Sequence, residues 1–238
     1  MDADHLREEF DRLANTAFET LELRRYLASP LTWAGHHARL ALLRDYFVPT
    51  NRDCWAYVMG AAPLDVKRVI WQHEQEELIY DPRLGAPHAP THEDRPDRAP
   101  GASPAADAVV PPPGVLVAMY ARRQFAKDSP WLAGLAASHI LERINDPTVV
   151  RGGGLVQRKV RQMLEDLGVS PEQVPARYRV HADADVEHGR LVWSVFERYV
   201  RDAATYELAL EGARFGLACF RVYAGAVGDL MAQAAPTS

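Results

Sequence analysis

Apolar residues recur at helical spacing along most of this chain, and this periodicity is the feature that most constrains its fold. In the first thirty residues, Leu6, Phe10 and Leu13 follow steps of four and three, which place them on one face of a helix. Alternating runs of β-branched residues, which would indicate strands, are scarce. We therefore predict an all-α protein. Helical patterns cover residues 4–28, 32–47, 52–59, 63–80, 130–145, 155–168, 181–201 and 203–230, and another begins near residue 115.

Residues 81–114 differ in kind from the rest of the chain. They hold nine of the seventeen prolines, mixed with glycine, alanine, aspartate and histidine. Proline has no backbone N–H to donate, so this segment is not expected to form a helix or to bury much surface. We interpret it as an ordered beginning followed by a mobile proline-rich insertion at about residues 89–114.

Size and charge narrow the possible functions. A chain of 238 residues with 47% hydrophobic residues can enclose one sizeable core, so we expect a single domain over residues 1–238. The net charge of -5 leaves no basic excess for a phosphate backbone, so nucleic acid is not an expected partner. The two cysteines lack metal or redox spacing, and no stretch approaches the ~20 apolar residues that span a bilayer. We expect a cytoplasmic protein without a membrane partner.

The sharpest chemical pattern is HADADVEH, residues 181–188. At about 100° per residue, His181, Asp185 and His188 fall within about 60° of arc on one helix face. Apolar residues extend the same face, so the three polar side chains are expected to point inward as metal ligands. The alternative is a polar helix start with solvated side chains, but burying three such residues is costly unless they are paired.

A second polar cluster lies in the stretch IWQHEQEEL, residues 70–78. Taking Ile70 as the centre of the buried stripe, His73, Glu74 and Glu77 lie within about 60° of it, whereas Glu76 lies about 120° away. Glu77 is therefore the best inward carboxylate, and Glu76 is interpreted as solvated. The string is similar to HExxH of zinc proteases, but a glutamate occupies the place of the second histidine, so that motif fails.

A third helix face carries His139 and Glu142, which continue the apolar positions of the helix after Pro130. A lone buried carboxylate would cost several kcal/mol, so Glu142 needs a cation. A partner arginine such as Arg143 is the alternative to a metal ion. We expect His139 to support the ligands rather than to bind metal itself.

Three carboxylates and three or more imidazoles would thus converge from three helices and one loop. Oxygen and nitrogen donors without thiolate suit iron or manganese, and six ligands are enough for two ions. Ferritin-like di-iron bundles carry Glu-x-x-His on two helices, and this sequence has no such motif. Another helical scaffold is required.

The order of these residues resembles that of the haem-oxygenase-like di-iron oxidases and oxygenases, relatives of thiaminase II and pyrroloquinoline-quinone synthase. The late H-x-x-x-D-x-x-H matches in full, and HEQEELIYDPRLGAPH, residues 73–88, is similar to HExxEL followed by D-x-R-x-G-x-x-H in that family. The second pattern favours His88 over His92. The resemblance implies the metal ligands Glu77, His88, Glu142, His181, Asp185 and His188, with His73, Glu74 and His139 as supporting or alternate ligands.

The resemblance also implies a seven-helix up-and-down bundle that binds two iron ions and reduces O2. The implied activity is oxidation of a small amine or amino acid by N-oxygenation, desaturation or C–C cleavage in a biosynthetic pathway. It implies a homodimer and an electron donor as partners. Arg158 or Arg161 could hold a substrate carboxylate. Two alternatives stay open: a metal-free enzyme of the quinone-synthase or thiaminase type, and an interaction protein stabilised by metal, as first supposed for the family member named for association with death domains.

Overall fold

The computed structural model describes residues 3–28, 30–87 and 109–234, apart from the side chains at 28, 177, 179 and 181–183. Within these ranges every regular element is helical, and the predicted all-α class is confirmed. His88 and most of the proline-rich insertion lie outside the described residues. The α-helices are α1 Ala3–Ala17, α2 Leu21–Ala28, α3 Trp33–Leu42, α4 Val48–Ala61, α5 Leu64–Leu78, α6 Pro113–Asp128, α7 Trp131–Asn145, α8 Leu155–Asp166, α9 Ala176–Tyr199 and α10 Ala203–Gln233.

The first predicted helix is divided in two, because the chain turns between α1 and α2. Thr20 causes the break: its hydroxyl donates to the carbonyl of Ala17 at 2.7 Å, and its own carbonyl accepts from the N–H of Arg24. A threonine side chain that binds nearby backbone competes with the helical hydrogen bonds. The turn lets Leu23 and Tyr26 face the core from a new direction.

Helices α3 and α4 form one continuous rod, joined by a π-helical turn at Leu43–Phe47. The N–H of Val48 bonds to the carbonyl of Leu43, which is the i to i+5 spacing of a π-helix. Pro49 lies in the first turn of α4, where its missing donor is tolerated. The predicted stop before Pro49 and the separate helix at 52–59 are therefore wrong.

A tight turn closes the segment after α5. The backbone bridges Asp81 to Ala86, and Gly85 has a φ of 68°, a conformation that glycine adopts without strain. The buried Asp81 carboxylate accepts from the backbone N–H of Arg83 at 2.7 Å. The predicted ordered beginning of the proline-rich segment is thus a hydrogen-bonded turn. At the other end of that segment, α6 begins at Pro113, two residues earlier than predicted.

The centre of the bundle is the contact between α7 and α10. A Cβ added at Gly212 or Gly216 would lie 2.1 Å from the carbonyl oxygen of Ala133 or Ala137, respectively. Only glycine permits such close backbone packing. Every residue of α7 from position 132 to position 144 is buried, so polar side chains on this helix are held inside the bundle.

Helix α10 is long and apolar enough to cross a membrane, judged by length and composition alone. Half of its most apolar window is buried inside the bundle, where α10 packs on α7, α2 and α6. The core helix of a soluble protein has the same properties, and the helical fold is consistent with a soluble protein.

Candidate metal centre

Helix α5 supplies the first polar side chains of the interior. Val66 and Ile70 are fully buried, and the same face continues with His73 and Glu77, one and two turns further along. His73 is 0% exposed, and its ring lies 4.6 Å from that of Trp55 on α4. Because the buried apolar face of α5 continues to these two positions, His73 and Glu77 point into the bundle.

Helix α9 supplies the second set from the opposite side. Asp185 and His188 are both buried, whereas Glu187 between them is exposed. Val192 and Phe196 continue the buried face into the core. The helix begins at Ala176 rather than near residue 181, so the whole HADADVEH stretch is helical. His181 belongs to this stretch, but its side chain is not among those described.

The side chains of α5 and α9 meet inside the bundle. His73, Glu77 and His188 each offer one donor atom, and these atoms all lie within 4.8 Å of one another. The rings of His73 and His188 are 4.4 Å apart, and Nδ1 of His188 lies 3.8 Å from Oε1 of Glu77. Two imidazoles and a carboxylate at this separation form a group that could hold a metal ion. His73, expected as a supporting or alternate ligand, is part of that group.

Helix α7 brings Glu142 to the same place. Its Oε1 lies 3.7 Å from Nε2 of His73. Arg143, the alternative partner from the sequence, instead pairs with Asp11 and Asp146. The cation beside Glu142 in this structure is therefore a histidine from another helix.

Charges and burial shift the pKa values of the two histidines in opposite directions. Burial alone would lower the pKa of His73, but the carboxylates of Glu142 and Glu74 outweigh it and raise the pKa to about 9. Burial raises the pKa of Glu142, and the contact with His73 overcomes this effect and lowers it to about 2. Burial and the neighbouring charge of His73 lower the pKa of His188. At neutral pH the metal-free site contains a charged His73 and a neutral His188.

Two further residues enter the site without having been predicted. Nη1 of Arg52, on α4, lies 2.8 Å from Oε1 of Glu74 and 3.2 Å from Oε2 of Glu77. Glu76 was interpreted as solvated, but its Oε2 lies 3.1 Å from Nε2 of His188 and its side chain is 31% exposed. Arg52 gave no sequence signal, because its partners lie on another helix.

Arg83 links the turn after α5 to the surface of α9. It pairs with Asp81 at 3.0 Å, with Glu187 at 2.9 Å, and with Glu76. This network lies next to the contact between Glu76 and His188, so it holds the edge of the site in place. The D-x-R part of the sequence pattern therefore has a structural role here.

His139 lies in an aromatic enclosure. It is 0% exposed, and its ring is 5.4 to 6.0 Å from the rings of Phe10, Trp193 and Phe196. Neither ring nitrogen has a hydrogen-bond partner among the described residues. Burial, and then the charge of Arg143, lower the pKa of His139 to about 3, so the ring is neutral.

The donor set fits a metal ion in charge and in chemistry. Among the described residues, three buried carboxylates meet here, against the two cations Arg52 and His73. The acids therefore exceed the bases in a region shielded from water, and a divalent cation would offset the difference. The donors are oxygen and nitrogen atoms, as iron and manganese prefer. The three carboxylates belong to Glu74, Glu77 and Glu142.

Arg158 and Arg161, suggested to hold a substrate carboxylate, have backbone partners in the structure. Arg158 donates to the carbonyls of Arg151 and Gly153, and Arg161 donates to the carbonyl of Gly152. Both close the glycine turn that precedes α8. These contacts give no support to a role for either side chain in holding a substrate carboxylate.

Comparison with known proteins gives one informative result. No family model matches the chain, and no curated protein sequence does so. A solved structure, that of a CADD-like protein of unknown function from Nostoc punctiforme, superimposes with a TM-score of 0.69 at 14% identity, covering 96% of this chain and 97% of that one. At this identity the likeness establishes a shared all-helical fold.

Proposed function

We propose that this protein is an O2-dependent non-haem di-iron oxidase or oxygenase. The observation that carries the proposal is the buried group of His73, Glu77 and His188, joined by Glu142, at the meeting point of three helices. The ligands we assign from the sequence pattern are Glu77, His88, Glu142, His181, Asp185 and His188.

Support for the family comes from two directions. The sequence resembles the haem-oxygenase-like di-iron enzymes in the order of its ligands, and the CADD-like neighbour has the same all-helical architecture over nearly the whole chain. The neighbour's own function is unknown, so the iron and the reaction rest on the residues of this chain. Ferrous ions bound here would supply the electrons that reduce O2.

Surrounding side chains would prepare the site for such chemistry. His73 contacts Glu74 at 2.9 Å and Glu142 at 3.7 Å, so it can orient both carboxylates and hold a proton between them. Trp55 covers the ring of His73 and helps to exclude water. His139 on α7 and its aromatic neighbours on α1 and α9 form a dry, neutral wall.

We assign a small amine or amino acid as the substrate, with N-oxygenation, desaturation or C–C cleavage as the outcome in a biosynthetic pathway. An electron donor and a second copy of the chain are proposed partners, and the cytoplasm is the proposed location. These assignments follow the family resemblance.

One observation favours a second candidate, a metal-free enzyme like the quinone-synthase relatives. Arg52 already neutralises Glu74 and Glu77, and His73 neutralises Glu142, so the described contacts satisfy these carboxylates in part without metal. In that case Glu77 and Asp185 would serve the structure alone.

Iron titration separates the two candidates. Purified metal-free protein is titrated with ferrous iron under nitrogen, and bound iron is counted after gel filtration. We expect two ions per chain, and then O2 consumption when a reductant and air are admitted. His188→Ala should bind less iron, whereas His5→Ala, a substitution of an exposed histidine on α1, should bind as much as the wild type.

Equal iron binding by wild type and His188→Ala would contradict the ligand assignment and favour the metal-free candidate. Two bound ions without any O2 consumption would favour the third possibility, a metal-stabilised interaction protein.

A further inference from the structure

A second group of buried charges lies elsewhere in the bundle, and it is cationic. Arg39 on α3 is 2% exposed and Lys159 on α8 is 9% exposed. Both lie over the ring of Tyr26, at 5.8 and 5.5 Å from its centroid. The ring face offers some compensation for the positive charges but no hydrogen-bond acceptor.

The side-chain contacts of Arg39 are with an amide and an imidazole. Nη1 donates to Oε1 of Gln162 at 2.8 Å, and Nη2 lies 3.4 Å from Nδ1 of His36. Its Nε is buried without a hydrogen-bond partner. In contrast, Arg52 and Arg143 each pair with two acidic residues. Among the described residues, neither Arg39 nor Lys159 has a carboxylate within ion-pair distance.

Two adjacent buried cations repel each other. Burial, and then the charge of Arg39, lower the pKa of Lys159 to about 8. Tyr223 on α10 adds a third donor nearby: its buried hydroxyl has no hydrogen-bond partner, and the charge of Arg39 acts on it. Nε of Arg39 and the hydroxyl of Tyr223 thus lack acceptors among the described residues, which is a costly arrangement unless an anion completes it.

The cationic group lies beside the helix that carries Asp185 and His188. The charge of Asp185, one of the assigned ligands on α9, acts on the ammonium group of Lys159. Helix α8, which carries Lys159 and Gln162, packs directly on α9. A small molecule held by Arg39 and Lys159 would therefore have its other end toward the ligands on α9.

We propose that Arg39 and Lys159, with the hydroxyl of Tyr223, bind the carboxylate group of the substrate. The proposal rests on the proposed function and sharpens it, because it selects amino acids and other organic acids over simple amines. Nε of Arg39 and the ammonium of Lys159 supply charge-assisted hydrogen bonds to the two carboxylate oxygens. The remaining part of the substrate extends toward Asp185.

The test uses iron-free protein, so that its result does not depend on the metal centre. The common L-amino acids and short fatty acids are titrated by calorimetry, and each is compared with its carboxamide, which has nearly the same shape but lacks the carboxylate charge. We expect at least one acid to bind about tenfold or more tightly than its amide. Arg39→Gln and Lys159→Gln should each lose about tenfold in affinity for that acid.

Arg122→Gln is the matched control. Arg122 is also a buried arginine, but it donates to Oδ1 of Asn51 at 2.7 Å and lies over Phe47, in another part of the bundle. This variant should bind the acid as the wild type does. Arg39→Lys, which keeps the charge and loses the planar donors, should show an intermediate affinity, and thermal melting checks that each variant is folded.

Three results would overturn the proposal: no acid binds better than its amide, inorganic phosphate binds more tightly than every acid, or Arg122→Gln loses as much affinity as Arg39→Gln. Acid binding by iron-free protein that takes up no iron would support the carboxylate site and contradict the proposed function, so the two failures are distinguishable.

Discussion

The interior of this bundle contains two charged regions that are opposites. Around Glu77, buried carboxylates outnumber the cations, and the acids are shared with Arg52 and His73. Around Tyr26, the cations Arg39 and Lys159 have no carboxylate within ion-pair distance among the described residues. One region is suited to a metal ion and the other to an anion.

The contrast shows that burial alone does not determine how much a charged side chain contributes to the stability of the fold. Arg52 and Arg39 are both largely buried arginines in the same rod of α3 and α4, yet only Arg52 has carboxylates to neutralise. A buried charge with a partner supports the fold, whereas one without a partner costs free energy that a ligand can recover. The predictions below challenge this contrast.

The largest effect is expected from removing Arg52. In metal-free protein, Arg52→Met leaves Glu74 and Glu77 without their shared cation, and we expect a loss of about 3–5 kcal/mol in the free energy of unfolding. Arg39→Met should cost less than about 1 kcal/mol or stabilise the fold. Urea denaturation of both variants measures the difference. Equal losses would remove the contrast between the two regions.

Metal binding should stabilise the acidic region next most strongly. At a free concentration about a thousandfold above Kd, a bound ion adds about 4 kcal/mol, which corresponds to a rise in Tm of about 8–16 °C for a domain of this size. Manganese can replace iron here to avoid oxidation. Differential scanning calorimetry should show this rise in wild type and in Arg39→Met. His188→Ala, which lacks one donor, should show much less.

Alkaline pH should stabilise the cationic region. The pKa of Lys159 is about 8 in the folded chain, below its ordinary 10.5, so folding releases a proton between these values. The free energy of unfolding therefore gains up to about 3 kcal/mol from this group as pH rises from 8 to 10.5.

The measurement compares wild type with Lys159→Met in urea at pH 8 and pH 10. The difference between the two proteins removes the contributions of other titrating groups, such as the buried tyrosines. Wild type should gain stability relative to the variant as pH rises. A constant difference would show that the ammonium is solvated.

The smallest effect, about 2 kcal/mol, is expected from Gly216→Ala, which leaves both charged regions intact. The new Cβ would meet the carbonyl oxygen of Ala137, so α7 and α10 must separate slightly. Urea denaturation should report the loss, while the iron stoichiometry and the preference for acids over amides remain those of the wild type. A change in the iron stoichiometry or in the preference for acids would show that the contact between α7 and α10 belongs to one of the charged regions.

Much of the fold could be predicted from the sequence because its information is local. Apolar spacing and the Ser129-Pro130 start placed α7 correctly, within a residue. The break at Thr20 and the continuation through Pro49 were missed, since each depends on a single hydrogen-bonding choice that periodicity does not encode.

The residues of the candidate metal centre could also be predicted only in part. Glu77, Asp185 and His188 were expected to face inward from their helical phase, and all three are buried. Arg52 and Glu76 were missed because their contacts join different helices, and phase alone does not show which helices meet. Neither Arg39 nor Lys159 could be predicted as buried. Arginine and lysine are usually exposed, and no acidic residue at helical spacing indicated a buried partner for either side chain.

The π-helical turn at Leu43–Phe47 sets the angular phase between the two charged regions. A π turn contains about one residue more than an α turn, so everything after it is rotated by about 100° relative to a plain α-helix. Arg39 precedes this turn and Arg52 follows it. Deleting one residue within the turn would swing Arg52 away from Glu74 and Glu77 while leaving Arg39 in place. The additional residue in this turn therefore sets the orientation of Arg52 relative to Arg39, and with it the alignment of the acidic region with the cationic region.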